Sequence, residues 1–348
     1  MQLPLLPTSD SWLEVDAHSR GTVFLPLAVR SVLNAPASTK MPFWSINPYV
    51  GCEFGCTYCY ARETHQWAEE RRVGGQAGRR VEEGENAAVD PPTRLPGYPP
   101  WLAFEKRILV KHEAPEVLAT TFHPAEVKGR TIVIGTATDP YQPAERHFRL
   151  TRRILEHFLR YEGLSLGMIT KSPLVARDAE LLAELSKKHR VKVLISCASL
   201  DGPLLRRIEA RSPAPHARIR ACKALTDKGV TVGLLVAPVI PGITDGRAAL
   251  EALLRAAREA GASSASGQAL RLGPAARARF LPQLQQEFPE LYAKYARRYA
   301  GRNGPGQDYE AAMSARFTKL RAKIGFPSDA EMEPGRVELQ RMGLGPRA

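Results

Sequence analysis

Cys52, Cys56 and Cys59 are the residues of this 348-residue chain whose type and spacing most directly imply chemistry. Three thiolates in a Cys-x3-Cys-x2-Cys arrangement can wrap one corner of a cubane iron-sulfur cluster, each binding one iron. The fourth iron is then left without a protein ligand. It is open to the amino and carboxylate groups of a small molecule, whose sulfonium would sit beside a reducing metal centre. Gly51 and Gly55 let the backbone fold tightly around the inorganic core, and Tyr58 and Tyr60 supply aromatic walls that limit solvent. The competing reading is a zinc site completed by His65, Cys197 or Cys222. Zinc ligands usually come as two knuckles, and no second Cys-x2-Cys or His-x3-His follows the first group. A single cluster is the expectation.

Elements able to hold such a loop are written in the hydrophobic pattern. Short β-rich runs at 44–50, 107–111, 131–136, 164–170, 191–197, 231–237 and 264–270 alternate with amphipathic helical stretches at 145–161, 178–188 and 245–260. Strand and helix at this cadence imply a parallel sheet, long enough to curl into a full or partial barrel of the α/β class. Functional residues then belong at the C-terminal ends of strands, and the cysteines follow the first of them. Residues 1–43 read as an irregular Pro-rich N-terminal arm, 44–270 as the α/β core with a Gly, Pro and charge-rich mobile insertion at 69–100, and 271–348 as a helical extension. Helices are expected in that extension at 274–286, 288–299 and 309–324.

Composition narrows the classes. With 44% hydrophobic residues the chain can build a sizeable core, which excludes disorder as its main state. No apolar run approaches the roughly 18 residues of a membrane span, and no basic start precedes an apolar stretch at the N-terminus, so no membrane partner or signal peptide is expected. Five cysteines, an odd number, in a chain too large to need staples point to a reducing cytoplasm. A net charge of +13 favours polyanionic partners. Arg146, Arg149, Arg153 and Arg160 share the face of one expected helix opposite Leu150, Ile154 and Phe158, and eight basic against two acidic residues lie between Lys294 and Lys323.

The cysteine spacing, with an aromatic before the third Cys, resembles that of radical S-adenosylmethionine (SAM) enzymes. Within them the chain is similar to the spore photoproduct lyase-like group. Asn47-Pro48-Tyr49, Cys59-Tyr60-Ala61-Arg62, Thr138-Asp139-Pro140-Tyr141-Gln142-Pro143, Thr170-Lys171-Ser172, the stretch 209–218 and Ala237-Pro238-Val239-Ile240-Pro241-Gly242 with Asp245 look like that group in order and spacing, over residues 40 to 270. The resemblance implies a partial (βα) barrel holding a 4Fe-4S cluster and SAM. It also implies reductive cleavage to methionine and a 5′-deoxyadenosyl radical that abstracts hydrogen from substrate, and an electron donor of the flavodoxin or ferredoxin type.

By the same resemblance Thr138 and Asp139 would meet the methionyl amino group, Lys171 and Arg218 the carboxylate, Ser196 the ribose, and the backbone at Ala237, with Tyr58, the adenine. Tyr60 would relay a hydrogen atom. The lyases carry a hydrogen-donating cysteine near the strand end that here reads Gly135-Thr136-Ala137-Thr138, where no cysteine lies. Cys197 is the alternative donor, and Cys222 reads as a small buried residue. Three functions follow: radical chemistry on DNA or RNA, the same chemistry on a protein or small metabolite, or an iron-sulfur or zinc module that binds nucleic acid or senses redox state without acting as an enzyme.

Overall fold

A computed structural model describes residues 21–65 and 100–327. The insertion expected at 69–100 falls outside these residues except for the helix that begins at Pro100, as do residues 1–20 and 328–348. The architecture is an open seven-stranded sheet with a separate three-stranded sheet.

The six strands β3 (Trp44–Ile46), β6 (Thr131–Ile134), β7 (Ser165–Thr170), β8 (Arg190–Ser196), β9 (Thr231–Val239) and β10 (Ser264–Ala269) run parallel in chain order. β2 (Leu33–Asn34) closes one edge antiparallel to β3. All four residues of β6 are buried, as a strand covered on both faces requires. One cover is built by helices whose apolar residues recur at helical spacing. Leu150, Ile154, Leu155 and Phe158 come from the helix Leu150–Phe158, Leu181, Leu182 and Leu185 from Ala179–Lys188, and Leu250, Leu253, Leu254 and Ala257 from Arg247–Glu259. All but Leu150 join the strands in one apolar core, and Leu150 packs with Phe24, Tyr49, Ile108 and Val110 of the small sheet. The sheet is open, as the expected partial barrel allows; among the described residues no closed barrel forms.

Two segments depart from the sequence pattern. The single strand expected at 44–50 divides into β3 and β4 (Tyr49–Val50), because Pro48 lacks the N–H needed to continue a ladder. β4 instead pairs antiparallel with β5 (Arg107–Val110), which pairs parallel with β1 (Val23–Pro26), so the strand expected at 107–111 belongs to the small sheet. The helix expected at 145–161 also divides: Arg149 adopts φ +51°, separating Glu145–Phe148 from Leu150–Phe158. Arg146 therefore does not share one helix face with Arg153 and Arg160. Helices Pro274–Glu287, Pro289–Arg298 and Gln307–Ile324 form where the extension was expected. Phe280, Leu284, Phe288, Tyr295 and Tyr299 from the first two of these regions share an apolar cluster with Cys52, Phe54, Cys56 and Tyr58. The tail packs against the cysteine loop. Among the described residues no helix is long and apolar enough to cross a membrane.

Candidate active site

The cysteine loop follows β4 and lies across the C-terminal ends of the parallel strands. Gly51 takes φ +91° and Gly55 φ +61°. A Cβ on Gly51 would stand 2.9 Å from the carbonyls of both Phe104 and Arg107, so this turn needs glycine for its space as well as its dihedral. The Cys52 N–H donates to Phe104 O at 2.9 Å, and the Thr57 N–H and hydroxyl both donate to Ile208 O at 3.1 Å. Behind the loop, Arg62 is buried and donates to Cys56 O at 2.7 Å and Glu105 Oε1 at 2.6 Å. Glu105 also accepts from Arg211 at 2.5 Å and from Arg279, a tail residue, at 3.1 Å. Burial would raise the Glu105 carboxyl, but these arginines outweigh it and hold it below its ordinary value.

The motif segment at 138–143 is a second brace. Thr138 Oγ1 donates to Gly51 O at 2.6 Å and Gln142 Nε2 to the same carbonyl at 3.1 Å, while the Glu53 N–H donates to Gln142 Oε1 at 3.0 Å. Asn47 ties β3 to the neighbouring strand end: its Nδ2 donates to Thr136 Oγ1 at 3.0 Å, and its Oδ1 accepts from the Ala137 N–H at 2.8 Å. Sequence reasoning quoted Asn47 and Gln142 as motif letters without a role and missed Glu105 altogether. The local sequence carried no signal for Glu105, which is followed directly by Lys106 and Arg107 and so reads as part of a solvated charge run.

One cleft collects most of the expected residues. Cys52, Cys56, Cys59, Tyr60, Thr138, Asp139, Lys171, Ser196 and Ala237 all line it. The ends of β6, β7, β8 and β9 supply those outside the loop, as a parallel α/β sheet dictates. Asp139 is already fully engaged, accepting from Thr170 Oγ1 at 2.6 Å, the Lys171 N–H at 2.7 Å and the Tyr141 N–H at 2.9 Å. It locks two strand ends together. The Tyr60 hydroxyl donates to Thr136 O. The Lys171 ammonium stands 5.8 Å from the centre of the Tyr58 ring.

Tyr58, Arg218 and Cys197 are not among the lining residues. Tyr58 and Arg218 meet instead on the buried carboxylate of Glu209, each donating to one oxygen. Arg218 further donates to Pro213 O at 2.9 Å and Ser196 O at 3.1 Å. Burial raises the Glu209 carboxyl, but Arg218 and Lys171 more than offset this and keep it low, so the cleft rests on a fixed charge network. Cys197 points the other way because successive strand residues face opposite sides: Ser196 takes the cleft, and Cys197 enters the helix-covered core, its thiol 3.2 Å from Ser199 O. That placement removes Cys197 as a hydrogen donor into the cleft.

The donor set fits an iron-sulfur cluster. All three loop cysteines are free thiols. Burial pushes each thiol up, Cys56 to about 11, so holding them as thiolates calls for bound cations. Among the described residues no three His, Cys, Asp or Glu side chains converge as one ion requires, whereas cluster ligands stand on different irons. The residues considered for completing a zinc site are occupied elsewhere: His65 Nε2 lies 2.8 Å from Arg107 O, Cys197 is in the opposite core, and Cys222 Sγ lies 3.7 Å from Ala260 O.

Residues 46–254 match the family described as the Radical SAM superfamily. Uncharacterized protein Rv2578c of Mycobacterium tuberculosis (strain H37Rv) is 30% identical over 322 residues, 91% of this chain and 86% of that protein. Uncharacterized protein MJ0683 of Methanocaldococcus jannaschii is 29% identical over 209 residues, 60% of this chain and 65% of that protein. Among solved structures, spore photoproduct lyase complexed with dinucleoside spore photoproduct superposes with TM-score 0.57 at 14% identity, covering 90% of this chain and 80% of that one. A variant of the lyase with bound AdoMet and the same dinucleoside gives TM-score 0.56 at 13% identity, with the same coverage. The likeness to these structures is one of fold.

Proposed function

Because the chain belongs to the radical SAM superfamily, we propose that Cys52, Cys56 and Cys59 anchor a 4Fe-4S cluster, that SAM fills the cleft beside it, and that the substrate is a nucleic acid. The chain is a radical SAM enzyme; its substrate is the open term. The observation that carries the cofactor assignment is the convergence of three cysteines, Cys52 and Cys56 buried and Cys59 partly so, with four strand ends on one cleft.

The cluster with SAM supplies, when bound, an electron to the sulfonium and an adenosyl radical able to take hydrogen from carbon. The chain's own residues position and dry that event. The Lys171 ammonium provides a positive charge for the SAM carboxylate, the Ser196 hydroxyl a partner for the ribose, and the Ala237 backbone a wall for the adenine. Glu209, held by Tyr58 and Arg218, fixes the charge beneath them. Thr138 and Asp139 act by bracing Gly51 and the ends of β6 and β7, whose geometry the cleft requires. Tyr60 stands at the strand end where the lyases carry a cysteine and is placed to relay a hydrogen atom.

Support for a nucleic acid comes from the net charge of +13, the exposed Lys294, Arg297, Arg316 and Lys319 of the tail, and the shared fold with a lyase bound to a dinucleoside photoproduct. The expected basic helix face contributes less. Of its members, Arg153 pairs with Glu116 and Arg146 lies on a different helix.

The test is anaerobic reconstitution with iron and sulfide, addition of SAM and dithionite, and quantification of 5′-deoxyadenosine beside Cys52→Ala, Cys56→Ala and Cys59→Ala. Product is expected from the native chain and none from the variants. A loaded cluster that neither binds nor cleaves SAM sinks the assignment. Binding of ultraviolet-damaged DNA should weaken steeply with salt; salt-insensitive binding turns the search to a protein or small metabolite.

A further inference from the structure

The Cys52–Cys56 segment has two sides. Cys52, Cys56 and Phe54 border the cleft, while Glu53 and Phe54 border a second cavity of about 400 Å³. Its other lining residues include Arg146, Arg206, Arg211 and Ser212. Ser212 is buried with its hydroxyl 3.4 Å from Cys56 Sγ, so the floor of this cavity is one side chain from a cluster ligand. Glu53 is the one carboxylate of the lining; it is 1% exposed and its Oε2 accepts the Ala144 N–H at 2.9 Å. Arg211 is half-buried, bound to Glu53 O at 2.6 Å and to Glu105. Arg146 and Arg206 are exposed. The mouth of the cavity is therefore positive. The break at Arg149 places Arg146 here and not on the helix face the sequence suggested.

We infer that this cavity and its arginine rim are where an acidic one-electron carrier protein docks to reduce the cluster. The inference rests on the function proposed above. Each reductive cleavage of a sulfonium draws one electron from the reduced cluster, and the electron that reduces the cluster must enter through the protein surface. The cleft side is taken by SAM and substrate. The opposite side offers both the Ser212–Cys56 contact and a field that attracts an acidic surface. One electron leaves the reduced carrier and enters the cluster, and no bond forms or breaks at the interface. A nucleic acid is a poorer occupant, because a strand lying here would be separated from the cleft by the cysteine loop.

Oxidised bacterial flavodoxin serves as the probe, with reconstituted enzyme. Its binding is measured by calorimetry, and cluster reduction is followed by absorbance with either reduced flavodoxin or dithionite as donor. In Arg146→Glu/Arg206→Glu, flavodoxin binding and flavodoxin-driven reduction should fall by about tenfold or more, with dithionite-driven reduction within about twofold of native. Arg146→Lys/Arg206→Lys should bind as the native chain does, and raising salt from about 50 to about 500 mM should weaken native binding. Unchanged flavodoxin binding in the charge reversal overturns the inference. So does equal slowing with dithionite, or loss of single-stranded DNA binding in place of flavodoxin binding. If dithionite yields no 5′-deoxyadenosine from the native enzyme, the proposed function fails instead, while flavodoxin binding still reports on the docking site.

Discussion

The cysteine loop and the helix-covered core both pack apolar side chains, yet the loop adds a layer of buried charge. Between the sheet and helices such as Arg247–Glu259 the contacts are apolar and non-directional. Around the loop, beside the apolar cluster it shares with the tail, buried charged groups are aimed: Arg62 on Glu105, Arg218 on Glu209, Tyr49 on Glu145. Buried ion pairs add little net stability against an apolar alternative, but losing one partner strands the other. The core thus supplies stability, whereas the loop's charges hold three thiols in one arrangement that cannot slide.

Five substitutions test that division, from the largest effect down. Arg62→Ala leaves Glu105 short of a buried partner and frees Cys56 O; we expect a loss of about 3–5 kcal/mol in denaturant unfolding together with poor iron loading. Iron content equal to native would break the comparison. Leu254→Ala in the core should cost about 2–5 kcal/mol by the cavity it leaves, yet the folded fraction should load iron and cleave SAM normally.

Lys111, just after β5, sharpens the contrast through pH. Burial pulls its ammonium down to about 8, below the value of the unfolded chain. Between the folded and unfolded values the unfolded chain binds more protons, so stability rises with pH from about 8 to about 10. At neutral pH the buried charge is a cost, and Lys111→Met should gain about 1–3 kcal/mol and flatten that rise in urea melts across pH. A variant retaining the native pH slope would assign the slope to another group.

The smallest effect separates neighbours. Ser196→Ala should raise the SAM concentration needed for half-maximal 5′-deoxyadenosine formation by roughly 3–10-fold, with a stability loss of no more than about 1 kcal/mol for the bond its hydroxyl donates to Ala237 O. Cys197→Ala should lower stability by about 1 kcal/mol and leave SAM cleavage intact. The reverse pattern would mean that the strand turns its other face to the cleft.

Local chemistry determined what could be read without coordinates. Cysteine spacing singles out the proposed cluster ligands because an iron-sulfur core has fixed dimensions. Apolar periodicity specifies which strands and helices exist, since burial on one face imposes a period of two or 3.6. The tail helices, most of the parallel strands and four lining residues of the cleft, Cys52, Cys56, Cys59 and Tyr60, were visible at this level; the resemblance to radical SAM enzymes added Thr138, Asp139, Lys171, Ser196 and Ala237. What tertiary structure alone decided is which distant groups meet. Nothing local links Glu105 to Arg62, Arg211 and Arg279, or Glu209 to Tyr58 and Arg218, because such pairs form only when separate elements close over a shared low-dielectric space. The same holds for direction. Pro48 diverts β4 into a second sheet, Arg149 turns Arg146 toward the cavity behind the loop, and strand alternation gives the cleft to Ser196 while Cys197 goes to the core. Residue type supplies the chemistry, and packing chooses the side of the sheet on which it is used.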